Sequence, residues 1–194
     1  MQDTIREAKQ ALRNQVGARL SRMEPGERAA ASAQARALLA AQPLWKRAQW
    51  VLFFASLPGE LDVWPLLAEA LSTGKKVALP RFVAKSKAYE VCQIQDAKSD
   101  LQTGHFGIRE PSSHCARLPS ARLDLILVPG VAFDLICRRL GRGKGYYDQL
   151  LGTLHGTTCG VAFDEQVVEE IPVESHDVRL DCVLTPTRWV ELKP

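Results

Sequence analysis

Three short apolar runs, alternating with helix-length stretches and each closed by a turn, constrain this chain more than any other feature. Trp50-Val51-Leu52-Phe53-Phe54 is closed by Pro58-Gly59, Lys76-Val77-Ala78-Leu79 by Pro80, and Leu123 to Val128 by Pro129-Gly130. Val63 to Leu71 reads as a helix ended by Gly74, and a further helix is expected over Tyr146 to Leu154. Shorter strands are expected at Tyr89 to Ile94, Thr158 to Val161, Val183-Leu184 and Trp189 to Leu192, with 95–120 as an extended loop. Upstream, Ile5, Ala8, Leu12, Val16 and Leu20 recur at helical spacing over 3–22. After the Pro25-Gly26 break, Glu27 to Leu39 forms a second, Ala-rich helix. This alternation predicts an α/β fold: an open, largely parallel twisted sheet sandwiched between helices, with an N-terminal helical pair. At 194 residues the chain suits one core and is short for two, so residues 1–194 are expected to form a single domain.

In such sheets ligands bind beyond the carboxyl ends of the strands. The loops after Phe54, Leu79 and Val128 are the places to look, and they begin Ala55-Ser56-Leu57-Pro58-Gly59-Glu60, Pro80-Arg81 and Pro129-Gly130. A net charge of +3 without any dense Lys/Arg block argues against nucleic acid and suits an anionic small molecule or nothing in particular. The five cysteines are scattered, with no CxxC or Cys/His metal spacing, which indicates neither a zinc site nor a disulfide framework. The charged N-terminus lacks a signal peptide's apolar core, and no run of 18 apolar residues spans a membrane. A cytoplasmic protein with no membrane partner is expected.

The segment richest in chemistry is Arg139-Leu140-Gly141-Arg142-Gly143-Lys144-Gly145-Tyr146-Tyr147-Asp148. Alternating glycines expose backbone N–H groups that can wrap an oxyanion. Arg142 and Lys144 add positive charge, and the helix starting just afterwards favours phosphate through its dipole. The segment fits neither the Walker A pattern nor GxGxxG, since Tyr146 stands where the third glycine belongs. On these residues alone it is a phosphate loop or a tight glycine turn with solvated charges.

That loop, with Val128-Pro129-Gly130-Val131-Ala132-Phe133-Asp134 before it, resembles the signature of the 5-formyltetrahydrofolate cyclo-ligase (methenyltetrahydrofolate synthetase) family. Similar pieces run along the chain. They are Lys9 to Arg13, Gly59 to Asp62, Leu79-Pro80-Arg81, Gly104 to Pro111, Gly160 to Asp164 and Pro172 to Asp181. One position departs from the pattern: Cys137 stands where the family usually carries glycine.

The resemblance implies conversion of 5-formyltetrahydrofolate to 5,10-methenyltetrahydrofolate, with ATP going to ADP and phosphate and Mg2+ assisting. Phosphorylation of the formyl oxygen gives an iminium phosphate, which N10 attacks to close the ring. No nucleophilic side chain is needed, matching the absence of a triad. The resemblance places Lys9 and Arg13, one turn apart, against the ATP phosphates, although such a pair read alone belongs most often to a solvated helix face. It makes Arg139, Leu140, Gly141, Arg142, Gly143, Lys144, Gly145, Tyr146 and Tyr147 the nucleotide loop, with Arg142 to Tyr146 also bordering the folate. Lys144 and Arg142 are the candidate catalytic residues, with Lys144 an electrophilic partner of the transferred phosphoryl group. Tyr146 and Tyr147 either pack on an aromatic ligand ring or belong to the core.

Ala55 and Glu60 match folate-pocket positions, where the carboxylate accepts from two pterin donors; read alone, Glu60 is equally a solvated turn residue. Trp64 and Phe106 are further pterin candidates or simply core. Asp148 and Asp177 match the family's Mg2+ positions, with Asp181 a weaker third that could instead pair with Arg179. Arg6 reads as surface, His176 as structural, and Asp134 as the cap of a turn. Partners are then a reduced folate and ATP, on a monomer. Two other readings use the same loop: an α/β enzyme acting on a sugar phosphate or CoA ester, and a non-catalytic ATP- or folate-binding module.

Overall fold

The computed structural model describes residues 2–119, 122–175 and 177–192. Its elements are α1 (Gln2–Leu20), α2 (Pro25–Ala41), α3 (Pro43–Arg47), β1 (Trp50–Leu52), α4 (Trp64–Ser72), β2 (Lys76–Val83), β3 (Ala88–Ile94), β4 (Leu101–Thr103) and β5 (Arg109–Pro111). There follow β6 (Leu125–Val128), β7 (Ala132–Asp134), β8 (Arg139–Leu140), α5 (Tyr146–Leu151), β9 (Thr157–Val161), β10 (Val167–Val168), β11 (Cys182–Leu184) and β12 (Trp189–Glu191).

The main sheet has seven strands in the order β12-β11-β9-β6-β1-β2-β3. Its five central strands run parallel, and the two edges, β12 and β3, are antiparallel. Strand residues alternate between the faces. Val51, Val77 and Leu125 pack under α2, α3 and α4, while Leu52, Ala78 and Ile126 face the other way. That second face is covered by α5 together with Phe133 and Cys137, which carries the chain back over the sheet without a long helix.

Some boundaries differ from expectation. β2 continues past Pro80 to Val83, because Pro80 pairs with Val91 of β3 at a point beyond the last β1 residue paired with β2. Proline there withholds no bond from a central ladder. The stretch 95–120 contains the hairpin β4–β5, and α5 ends at Leu151 rather than Leu154. A small sheet, β10-β7-β8, has strands of two or three residues. Such runs are too short to show a period.

The β7–β8 turn is held by Asp134, whose Oδ1 accepts the N–H groups of Ile136 at 3.1 Å and Arg138 at 2.9 Å. Inside it Cys137 has φ +63°, the left-handed region in which a Cβ is strained and glycine is at ease. The side chain is fully buried, and burial pushes its thiol up to about 11. α1 packs Leu12, Val16 and Leu20 against this small sheet, which fixes the helix over the segment that follows β8.

Phe133 lies between two glycines. A Cβ on Gly160 would come within 2.5 Å of its ring, and one on Gly130 within 2.6 Å. Gly160→Ala is therefore expected to cost about 1–3 kcal/mol through overpacking, lowering the thermal midpoint by roughly 2–4 °C per kcal/mol. A melt indistinguishable from the parent's would show that the Phe133 ring has room to shift.

Candidate active site

The segment 139–148 leaves β8, passes through three glycines and enters α5. Gly143 (φ +93°) and Gly145 (φ +69°) take left-handed conformations, so the chain turns sharply twice and sends neighbouring side chains to opposite sides. α5 has only six residues, too short for its dipole to supply much attraction for an anion. Positive side chains take that part instead.

On one side lies a polar cavity of about 410 Å3 between α1, the glycine loop and the Glu174–Asp177 turn. Lys9 is 7% exposed, and its Nζ donates to Asp177 Oδ2 at 2.6 Å and Glu174 Oε2 at 2.7 Å. Burial alone would lower its pKa; the hydrogen bonds to the two carboxylates outweigh it and raise the value above 10.5. A raised folded-state pKa makes this contribution to stability complete below pH 10.5 and lost only as pH climbs through the folded value. At neutral pH the cavity thus holds a fixed ammonium. Arg13 Nε donates to the Gly141 carbonyl at 2.9 Å, and a Cβ on Gly143 would lie 3.4 Å from the same guanidinium. Helix α1 is thereby docked on bare loop backbone.

On the other side is a more apolar cavity of about 330 Å3. Phe54, Ala55, Pro80, Pro129 and Gly130 line it, so it opens at the carboxyl ends of β1 and β6 and beside β2, the three loops singled out above. Phe106 and Tyr146 form one wall, stacked at 6.3 Å, and Phe82, outside the lining, packs on them at 5.0 Å and 5.2 Å. Lys144 Nζ sits 4.8 Å over the Phe106 ring. Glu110 is buried there, its Oε2 accepting the Phe82 N–H at 3.3 Å, and burial raises its carboxyl pKa. Glu60 accepts the Leu57 N–H at 3.0 Å through Oε2 and Arg142 Nη2 at 2.6 Å through Oε1.

The two cavities share a wall made of Arg139, Gly141, Arg142, Gly145 and Asp148. Arg139, 6% exposed, donates to Asp148 Oδ1 at 2.6 Å, and its Nε is a buried donor with no acceptor among the described residues. Asp148, Glu174 and Asp177 set hard carboxylate oxygens among Lys9, Arg6, Arg13 and Arg139 around the polar cavity. That donor set fits magnesium carried by phosphates: the carboxylates suit the cation, and the cations suit the phosphate oxygens.

The residues expected at the nucleotide divide between the cavities. Lys9, Arg13, Arg139, Leu140, Gly141, Arg142, Gly143 and Gly145 line the polar one, with Asp148 and Asp177. Lys144, Tyr146 and Tyr147 line the apolar one instead, because the turns at Gly143 and Gly145 direct them across the wall. Tyr147 is packed against both faces of the main sheet, and burial drives its hydroxyl pKa far up. Ala55, Glu60 and Phe106, the candidate folate contacts, line the apolar cavity as well.

Trp64 does not line that cavity: its indole N–H donates to the Ser56 carbonyl at 3.2 Å, and Arg109 stacks on its face at 4.7 Å. Asp181 pairs with neither metal position nor Arg179; its Oδ2 accepts from Thr158 N and Oγ1, both at 2.7 Å, while Arg179 donates to the Ile136 carbonyl. Arg6, read as surface, borders the polar cavity. His176 lies outside the described residues. Sequence reasoning missed Glu174, Tyr89 and Glu110; a lone carboxylate in a loop and a tyrosine in a strand carry no pattern that marks them.

The model of the 5-formyltetrahydrofolate cyclo-ligase family matches residues 5–186. The 5-formyltetrahydrofolate cyclo-ligase of Escherichia coli K12 is 38% identical over 145 residues, covering 73% of this chain and 80% of that protein. The mouse 5-formyltetrahydrofolate cyclo-ligase is 29% identical over 192 residues, covering 93% and 95%. Among solved structures, the 5,10-methenyltetrahydrofolate synthetase of Aquifex aeolicus superposes with a TM-score of 0.85 at 34% identity, over 96% of this chain and 93% of that one. A second methenyltetrahydrofolate synthetase, from Mycoplasma pneumoniae, shares the fold at 20% identity, with a TM-score of 0.71 over 92% of this chain and 98% of its own.

Proposed function

The chain belongs to the 5-formyltetrahydrofolate cyclo-ligase family, and from that premise we propose that it closes 5-formyltetrahydrofolate to 5,10-methenyltetrahydrofolate while splitting ATP into ADP and phosphate. It is a ligase of folate chemistry by that membership. The observation that carries the finer reading is the pair of cavities with one common wall, one basic and polar, the other aromatic. A reaction joining a triphosphate to a flat heteroaromatic substrate needs two such compartments in contact.

In the proposed reaction the formyl oxygen, otherwise a poor leaving group because amide resonance holds the carbonyl, takes the terminal phosphoryl of ATP. The resulting iminium phosphate is attacked at carbon by N10, and inorganic phosphate departs with the original formyl oxygen. Lys9 and Arg13 hold phosphates from α1, and Arg139 holds Asp148 in place. Arg142 stands on the common wall and Lys144 at its apolar side, where charge develops on the transferring group. Asp148 and Asp177 would hold Mg2+, which neutralises phosphate charge. Glu60 accepts from pterin N–H groups, and the Phe106–Tyr146 wall takes a face of the ring. Among the described residues no helix is long and apolar enough to cross a membrane; a cytoplasmic monomer remains the working proposal.

The purified chain, mixed with 5-formyltetrahydrofolate, is expected to develop the methenyl chromophore only when ATP and magnesium are both present. Equal product without nucleotide would remove the phosphorylated intermediate. Nucleotide binding without product would favour the non-catalytic reading.

A further inference from the structure

Away from both cavities, the segments flanking the β4–β5 hairpin bring three different metal-binding groups together. Asp100, just before β4, closes a turn: its Oδ2 accepts the N–H groups of Gln95 at 2.7 Å and Asp96 at 3.0 Å. Its Oδ1 is left facing His114, with Nε2 at 3.1 Å. Cys115 is 7% exposed, and its thiol donates to the Asp100 backbone carbonyl at 3.3 Å. One carboxylate oxygen, one imidazole nitrogen and one sulfur thus lie within 4.8 Å of one another, the only such cluster among the described residues.

We propose that Asp100, His114 and Cys115 form a binding site for a borderline-soft divalent cation, zinc foremost, with a fourth position open to water. The required distances are close to those present. Around tetrahedral zinc, nitrogen and oxygen ligands at about 2.0–2.2 Å and sulfur at about 2.3 Å stand roughly 3.3–3.7 Å apart. Asp100 and His114 are already at 3.1 Å. The three atoms lie within 4.8 Å of one another, so drawing them onto one ion needs about an ångström of movement, and the His114 side chain, 63% exposed, has solvent around it.

The mixed oxygen, nitrogen and sulfur set selects zinc over magnesium or calcium, which take oxygen ligands. The surroundings favour the ligating forms. The N–H groups of Gln95 and Asp96, with His114, hold the Asp100 carboxyl down at about 2, so it is ionised at neutral pH. Ser112 Oγ stands 3.0 Å from His114 Nδ1 and donates to the Asp100 carbonyl at 3.0 Å, tethering the ring through its other nitrogen. On binding, Cys115 gives its thiol proton to solvent and binds as the thiolate. The ion would join the turn before β4 to the segment after β5. That clips the base of the hairpin whose Ile108 and Arg109 line the apolar cavity.

The test uses the full chain freed of metal by chelation and titrated with cobalt(II) and zinc. One ion per chain is expected, with a thiolate-to-cobalt charge-transfer band, and zinc should raise the thermal midpoint. His114→Ala, at an exposed position, and Cys115→Ser should each weaken binding roughly tenfold or more and abolish the zinc-induced rise. Magnesium-site binding gives no thiolate band, so it is not confused with this site. Absence of the band overturns the proposal. So does a band that disappears in Cys115→Ser but persists unchanged in His114→Ala, since that reduces the site to a thiol alone.

Discussion

Replacing Lys144 by alanine is expected to lower kcat by about two to three orders of magnitude, the usual scale for removing one positioned charge from a transition state. The side chain is exposed and its Nζ rests over the Phe106 ring on the apolar side of the common wall. Its loss should therefore leave folding stability within about 0.5 kcal/mol, as at other surface positions. The position of the ammonium separates two roles. If it meets the phosphoryl group during transfer to the formyl oxygen, kcat falls while the KM for ATP changes little. If it serves only as a cation against an aromatic wall, the change is confined to folate KM and amounts to less than tenfold. Arg142→Ala, on the wall itself, should instead raise the KM for ATP by one to two decades, because a charge-assisted contact is worth about 1.5–3 kcal/mol. Equal kinetics in parent and both variants would take this loop out of the phosphate site.

Glu60 is the second large expected effect. An apolar replacement leaves pterin donors unpaired in the cavity, at a cost of about 1–3 kcal/mol, so Glu60→Ala should raise the KM for folate by roughly one to two decades. Glu60→Gln should do so as well, since its NH2 would face a donor. Sequence alone puts Glu60 and the phosphate cations in separate sets, which predicts no change toward ATP. The 2.6 Å pair between Glu60 and Arg142 alters that expectation. With Glu60 gone, Arg142 loses its carboxylate partner and is freer to meet phosphate, so the KM for ATP should hold or fall slightly. The pair also predicts non-additivity: Glu60→Ala combined with Arg142→Ala should differ from the sum of the single changes by at least 0.5 kcal/mol. Additive effects together with parental folate binding would make Glu60 a turn residue.

Much of this was legible in the chain itself. The apolar runs at Trp50, Lys76 and Leu123 carry strand length and turn punctuation, and they became the parallel centre of the sheet. They read as continuous apolar runs because burial on both faces demands it. The spacing of Lys9 and Arg13 put both on one side of α1, and the glycine run announced a loop with exposed backbone. What these residues could not state was direction. Lys144 and Tyr146 were read with both nucleotide and folate because they sit in the loop, and left-handed turns at Gly143 and Gly145 carry them to the apolar cavity alone.

The residues therefore determined, by themselves, the class of fold, the order of its long elements and the glycine loop on which the proposed chemistry rests. Each of these depends on neighbours close in sequence. The tertiary structure alone decided the rest. It joined Lys9 to Glu174 and Asp177 across more than 160 residues, and Glu60 to Arg142 across 82. It set the strain at Cys137 and brought Asp100, His114 and Cys115 within reach of one ion. Such pairings follow from how strands and loops are stacked, and no local period or spacing records a contact between residues that meet only after the core has closed.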